Sequence, residues 1–292
     1  MGEQSNVLKQ KNRIDETDWA RLTLPERIRH LEVEGYLVLP GLLDLDHIRR
    51  LQAETNKLET FHVDYSVHQR GCQDIQFWGG PITELIAHPP TIHFLKAMCG
   101  PELIFMSYDY ACSDPGHPGI SLHCDGQPWG SEIFGYEQSC PRLIRVLYYL
   151  QDLTPKVSAF KVVPRSHLSF HHDGNPYLRY EEHPEQVMVT CKAGSAVLIN
   201  QNVFHGNYPN IGDYSREMLG LAYRPSWAGP SGAVKAWDPE QLAKMVPAIQ
   251  ELMVDPNTRI WDFEGGNKPP NMASKAPGIN ASRWEPPDSE WR

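Results

Sequence analysis

Between residues 103 and 224 the chain breaks into short apolar runs, and that rhythm limits its fold more than any other feature. Segments 103–112, 119–123, 142–150, 159–163, 187–191, 195–200 and 217–224 are rich in Val, Ile, Leu and Tyr, and Gly, Pro, Asp and Asn separate them. Such residues suit a pleated, half-buried surface, and such separators suit turns. The front of the chain reads as helical instead. Thr23-Leu24-Pro25-Glu26 has the form of a capping box, Leu24, Ile28 and Leu31 follow at helical spacing, and Gly35 should stop the helix. A short buried strand, 36–41, comes next; Asp44 can cap a second helix with Leu45, Ile48 and Leu51 on its inner face. Residues 69–81 read as a loop and 91–98 as a short helix. A helical front followed by many short strands implies a closed or double-sheet β architecture, a jelly roll.

After Pro225 the pattern turns irregular. Asp238 can start one more helix, which Pro247 kinks or ends, and 265–292 read as an extended tail anchored by Ile279, Trp284 and Trp291. With no repeat and no clean linker, the expectation is one domain over 1–292: a helical part at about 15–100, a jelly-roll core at about 101–226 and a tail region at about 227–292.

The formal charge of −9 argues against nucleic-acid or anionic-membrane partners. No apolar stretch approaches the roughly 18 residues of a membrane span, and residues 1–13 are polar, unlike a signal peptide. The six cysteines include no CxxC pair and suggest free thiols in a reducing, cytoplasmic setting.

The chemistry centres on Ser121-Leu122-His123-Cys124-Asp125-Gly126. A histidine and an aspartate two residues apart on a strand project to one face and offer a divalent metal two adjacent ligands. Cys124, between them, should point away. HxD alone is a weak signal, and a second histidine is needed to complete a two-His-one-carboxylate set with open positions. Residues 193–200 read as a turn and a buried strand leading to His205, which the following Gly206 would leave sterically open. Eleven residues on, Arg216 opens the next strand. A hairpin over 207–214 would fold that arginine back beside His205, where its planar fork could clamp a carboxylate.

With these stretches in hand the chain resembles the phytanoyl-CoA dioxygenase family of iron(II)- and 2-oxoglutarate-dependent oxygenases. The resemblance rests on residues 34–43, on His123-Cys124-Asp125, on Val162-Val163-Pro164-Arg165-Ser166-His167, and on Gly194-Ser195-Ala196-Val197-Leu198 through His205 to Arg216. It implies a double-stranded β-helix, a cupin-like form of jelly roll, with flanking helices. It implies iron held by His123, Asp125 and His205, and 2-oxoglutarate held by Arg216 with Asn207 as a polar helper. Dioxygen would be the second cosubstrate and a small molecule the substrate, hydroxylated with release of succinate and carbon dioxide. Related halogenases have a small residue where Asp125 stands, so halogenation is not expected. Two departures stand out: Val157-Ser158-Ala159 replaces a usual Asn-Gly-small, and Pro164-Arg165-Ser166-His167 replaces Pro-Gly-Ser-His.

Two other readings stay open, a catalytically silent jelly-roll binding protein and a cupin-like enzyme using another divalent metal. Loops 69–81, 126–141 and 169–186 are candidate covers of the metal, with Gln127 and Trp129 placed near it by their closeness to Asp125. Tyr108, Tyr148 and Phe160 are further lining candidates, or ordinary core. His167, His171 and His172 read as solvated loop residues. Arg142 or Arg145 reaches the active-site mouth, or both are edge charges.

Overall fold

Thr23 opens helix α1 (Leu24–Glu34): its backbone N–H and hydroxyl both donate to the Glu26 carboxylate, at 2.8 and 2.7 Å. The structure, a computed structural model, describes residues 13–125, 143–168, 182–228 and 235–258. Gly35 ends α1 at φ 85°, and a side chain there would press on His167, with a Cβ 2.6 Å from its Nδ1. Strand β1 (Tyr36–Leu39), wholly buried, follows. Asp44 caps α2 (Leu45–Thr55) by accepting the His47 N–H at 2.8 Å, and Ile48, Leu51 and Thr55 form its buried face.

Residues 69–81 are not a loop. They belong to β3 (Ser66–Gln73), paired with β2 (Phe61–Val63), then a 3-10 turn (Ile75–Phe77) and the start of α3 (Gly80–Glu84). The sequence of β3 is mostly polar and shows no apolar alternation. Its strand state comes from five registered pairs with β4 (Leu103–Ser113), a tertiary contact that overrides local propensity. Helix α4 (Pro89–Cys99) precedes β4.

The remaining strands are β5 (Ile120–His123), β6 (Ile144–Tyr149), β7 (Phe160–Val162), β8 (Val187–Val189), β9 (Ala196–Asn200), β10 (His205–Asn207) and β11 (Arg216–Pro225). They form a seven-stranded sheet, β1-β9-β6-β11-β4-β3-β2, and a four-stranded sheet, β5-β10-β7-β8, in which every strand pair is antiparallel. This is the jelly roll expected from the strand rhythm. Period two then sorts the large sheet's side chains. Tyr148 and Tyr223 face the helices, bonding Thr91 at 2.5 Å and the Ile86 carbonyl at 2.8 Å. Asp109, Ser113, Arg145, Tyr149 and Arg216 fall on the opposite face, between the sheets.

Two short helices, α5 (Pro239–Leu242) and α6 (Pro247–Leu252), close the described chain; Asp238 caps the first, and Pro247 opens the second. No helix among the described residues is long and apolar enough to cross a membrane. The tail from 259 onward lies outside the described residues.

Both departures from the family motif fall on left-handed backbone. Ser158 sits at φ 42° and Arg165 at φ 64°, conformations that glycine adopts without the Cβ clash of other residues. Ser158 is also fully buried with its Oγ unpartnered. Replacing Ser158 by Gly should therefore stabilise the fold by about 1 kcal/mol, strain relief outweighing the looser unfolded chain. A urea midpoint at or below wild type would contradict this. The rest of that motif is a brace rather than a solvated loop. Ser166 accepts the Phe204 N–H at 2.7 Å and donates to the Val163 carbonyl at 2.8 Å, and buried His167 donates from Nε2 to the Glu32 carbonyl at 2.8 Å. His167 thus holds α1 against the approach to His205; His171 and His172 lie outside the described residues.

Candidate metal and cosubstrate site

Antiparallel pairing of β5 with β10 sets His123 directly opposite His205, ring centroids 4.4 Å apart. Asp125 is held just past the end of β5 by its N–H, which donates to the Gln201 carbonyl at 2.8 Å. Its Oδ1 lies 3.6 Å from His123 Nε2 and its Oδ2 3.8 Å from His205 Nε2. The ligand atoms of the three residues lie within 4.8 Å of one another. Each imidazole is oriented from behind: His123 Nδ1 donates to the Ser121 carbonyl at 2.9 Å and His205 Nδ1 to the Val203 carbonyl at 3.0 Å. A carbonyl can only accept, so the proton sits on Nδ1 and both Nε2 lone pairs face the Asp125 carboxylate. Cys124 points the other way, into a small cluster with Leu122, Val163 and Phe204. Gly206 does not open the site. It admits the β5 backbone, since a Cβ there would collide with the Ile120 carbonyl.

Burial first, then the neighbouring His123, push the His205 pKa down to about 4, so its lone pair is free at neutral pH. Burial alone would raise the Asp125 pKa, but His205, Arg145 and His123 together hold it below the usual carboxylate range. His117, also buried, is likewise pushed down to about 4. Unfolded imidazoles take up a proton near about pH 6.5. Across the window from about 6.5 down to about 4 the unfolded chain therefore binds more protons than the folded one. The metal-free protein should keep its full stability above that window and lose it progressively through it, on the order of 3 kcal/mol for each of these imidazoles. Urea unfolding as a function of pH tests this; a profile flat through the window would contradict it.

Arg216 is almost fully buried, 2% exposed. Its Nη2 donates to Ser113 Oγ at 2.6 Å, Ser113 donates onward to Gln69 Oε1, and the guanidinium carbon lies 5.7 Å from the Tyr149 ring centre. Its Nε is buried without a hydrogen-bond partner. Burial pulls its pKa down, and the groups that oppose this are Tyr149, Cys112, Tyr65 and Tyr110, with no carboxylate among them. A buried cation with no anion is costly unless a ligand supplies one. The expected hairpin over 207–214 is absent: β10 lies in the small sheet and β11 in the large one, so this segment crosses between sheets. Asn207 still bears on the same region, because its side chain interacts with the Tyr149 phenol. Its Nδ2 donates to the Ser158 carbonyl at 3.2 Å.

Two imidazole nitrogens and a carboxylate on one side, and an intersheet arginine with no carboxylate partner among the described residues, fit a divalent ion and a dicarboxylate. A sequence profile of the family described as Phytanoyl-CoA dioxygenase (PhyH) matches residues 31–218, which include all of these positions. The chain belongs to the phytanoyl-CoA dioxygenase family. As a member it is an iron(II)- and 2-oxoglutarate-dependent oxygenase. Among curated relatives, ectoine dioxygenase of Nocardia farcinica is 21% identical over 245 residues, covering 72% of this chain and 80% of that protein. Among solved structures, the non-heme alpha ketoglutarate dependent epimerase SnoN from nogalamycin biosynthesis superposes with a TM-score of 0.60 at 16% identity, covering 82% of this chain and 93% of SnoN. HygX from Streptomyces hygroscopicus, solved with nickel and 2-oxoglutarate, gives 0.59 at 18% identity, covering 72% and 90%.

In this phytanoyl-CoA dioxygenase family member an open groove of about 980 Å³ lies along β2 and β3, with Gln69, Gln73, Asp109, Arg145 and Met218 on its walls; none of the three ligands lines it, and it meets the site at Arg145, which contacts Asp125. Of the aromatic lining candidates, Phe160 is at the site, stacked on His205 with centroids 5.7 Å apart. Tyr108 and Tyr148 are not: both are fully buried on the helix-facing side of the large sheet. Gln127 and Trp129 lie outside the described residues. Sequence reasoning missed Asp109, Ser113, Gln69 and Tyr149, because each becomes relevant only through strand pairing. Arg145 does reach the site, bonded to Asp109 at 2.8 Å and 3.4 Å from Asp125; Arg142 lies outside the described residues.

Proposed function

We propose that His123, Asp125 and His205 hold iron(II), that Arg216 binds the distal carboxylate of 2-oxoglutarate with help from Asn207, and that the enzyme hydroxylates a small-molecule substrate. The observation that carries this reading is buried Arg216, which has no carboxylate partner among the described residues, on the intersheet face of the large sheet. Iron with 2-oxoglutarate and dioxygen supplies the oxidising power, with succinate and carbon dioxide released. The chain's own part is positioning. The carbonyls of Ser121 and Val203 fix the imidazole tautomers, Phe160 shields His205 from solvent, and Ser113 and Gln69 orient the Arg216 fork.

The groove bears on the substrate. Its two arginines are already neutralised, Arg145 by Asp109 and Asp125 and Arg70 by Asp114 at 3.5 Å, while Glu59 and Asp74 add negative charge. That lining supports a neutral or cationic small molecule over a polyanionic acyl-CoA. HygX, of similar fold, was solved with hygromycin B bound, which supports a small-molecule substrate. Purified protein supplied with iron(II) and 2-oxoglutarate should form succinate, and a chelator should stop it. No succinate above a metal-free control, or tight retention of zinc or manganese with no 2-oxoglutarate binding, would sink the assignment.

A further inference from the structure

Arg145 leaves β6, crosses over β11 and reaches Asp109 on β4. In the order β6-β11-β4, Gly220 of β11 stands opposite Asp109. A Cβ at Gly220 would lie 3.4 Å from Arg145 Nη2 and 3.1 Å from Met218 Sδ, so this mid-strand glycine leaves the corridor through which the guanidinium passes. At its far end Arg145 Nη2 donates to Asp109 Oδ2 at 2.8 Å. That bond fixes the plane of the fork and leaves Nε 3.4 Å from Asp125 Oδ2, close enough for an ion pair. Nε is buried and makes no hydrogen bond, so its approach to Asp125 is an ion pair.

The other Asp125 oxygen, Oδ1, faces His123 Nε2 at 3.6 Å, while Oδ2 also lies 3.8 Å from His205 Nε2. Both oxygens are therefore within reach of an ion placed among the three side chains, and a carboxylate can ligate through one oxygen or two. Two-oxygen ligation would occupy a position that the two-His-one-carboxylate set otherwise leaves open. Resting on the iron assignment above, we infer that Arg145, anchored by Asp109, is a positioning residue that reserves Asp125 Oδ2 for itself. Asp125 then offers the ion Oδ1 alone, and the positions needed by 2-oxoglutarate and dioxygen stay free. An ion pair from a fork anchored at its far end by Asp109 suits this task; a lysine ammonium would lack the second anchor.

The test uses the full-length protein under anaerobic conditions and compares 2-oxoglutarate affinity with and without iron(II), by calorimetry. The variants are R145K, the double variant R145Q/D109N, which removes Arg145 together with its anchor, and G220V, which blocks the corridor without altering a charged group. Wild-type protein should bind 2-oxoglutarate more tightly when iron is present. In R145K and in R145Q/D109N that iron-dependent tightening should shrink at least tenfold, with metal-free binding through Arg216 unchanged; G220V should behave the same way. A merely structural role would weaken metal-free and iron-loaded binding alike, and that pattern, or tightening equal to wild type in the double variant, overturns the inference. Wild-type protein showing no iron-dependent binding at all would overturn the iron assignment, and this inference with it.

Discussion

Changing His123, Asp125 or His205 to alanine, one at a time, abolishes iron-dependent 2-oxoglutarate turnover in each variant. The three residues act as a unit, because their ligand atoms lie within 4.8 Å of one another and no further His, Cys, Asp or Glu joins the group among the described residues. Removing one leaves two ligands, a weak site for a divalent ion. The loss of metal affinity should exceed the roughly 10–100-fold typical of changes to groups behind the ligands. The folded state should survive His123→Ala most easily, since the half-exposed ring leaves little apolar contact behind. His205→Ala removes a ring stacked on Phe160 and should lower stability as well. Succinate formation and metal content of protein reconstituted under nitrogen measure both effects. Full activity in any one variant would remove that residue from the ligand set.

Arg216→Lys keeps the charge and loses the fork, and the expected result is a sharp fall in 2-oxoglutarate affinity. The guanidinium spends Nη2 on Ser113 and keeps its Nε without a partner, so it can be oriented by the protein and still present donors to a carboxylate. A lysine has one nitrogen for both tasks. Losing a charge-assisted hydrogen bond is on the order of 2 kcal/mol, roughly thirtyfold in dissociation constant. Asn207→Ala should cost about 1 kcal/mol, one neutral hydrogen bond. Calorimetric titration with 2-oxoglutarate reads both. Unchanged binding in Arg216→Lys would place the clamp elsewhere.

Much of this site was legible in the chain itself. His123 and Asp125 share a strand face by period two alone, and the strand rhythm from 103 to 224 points to two packed sheets without any tertiary knowledge. The helix caps at Thr23 and Asp44 are equally local, because a cap is made by residues three apart. Motif order sufficed to nominate His205 and Arg216. What the chain could not state was which strands become neighbours. The polar strand β3 has no signal of its own and exists because β4 pairs with it, and only that pairing brings Gln69 to Ser113 and so to Arg216. The crossing of 207–214 between sheets, read locally as a hairpin, depends on where β11 finds its partners. Likewise Tyr148 and Tyr149 are adjacent and similar in sequence, yet one lies under a helix and the other beside Arg216. Local propensity and spacing act over a few residues, and they determined most of the elements and the nearness of His123 to Asp125. Pairing and face assignment join residues tens of positions apart, so Asp109, Arg145 and Gly220 acquired a role only once β4, β11 and β6 lay side by side.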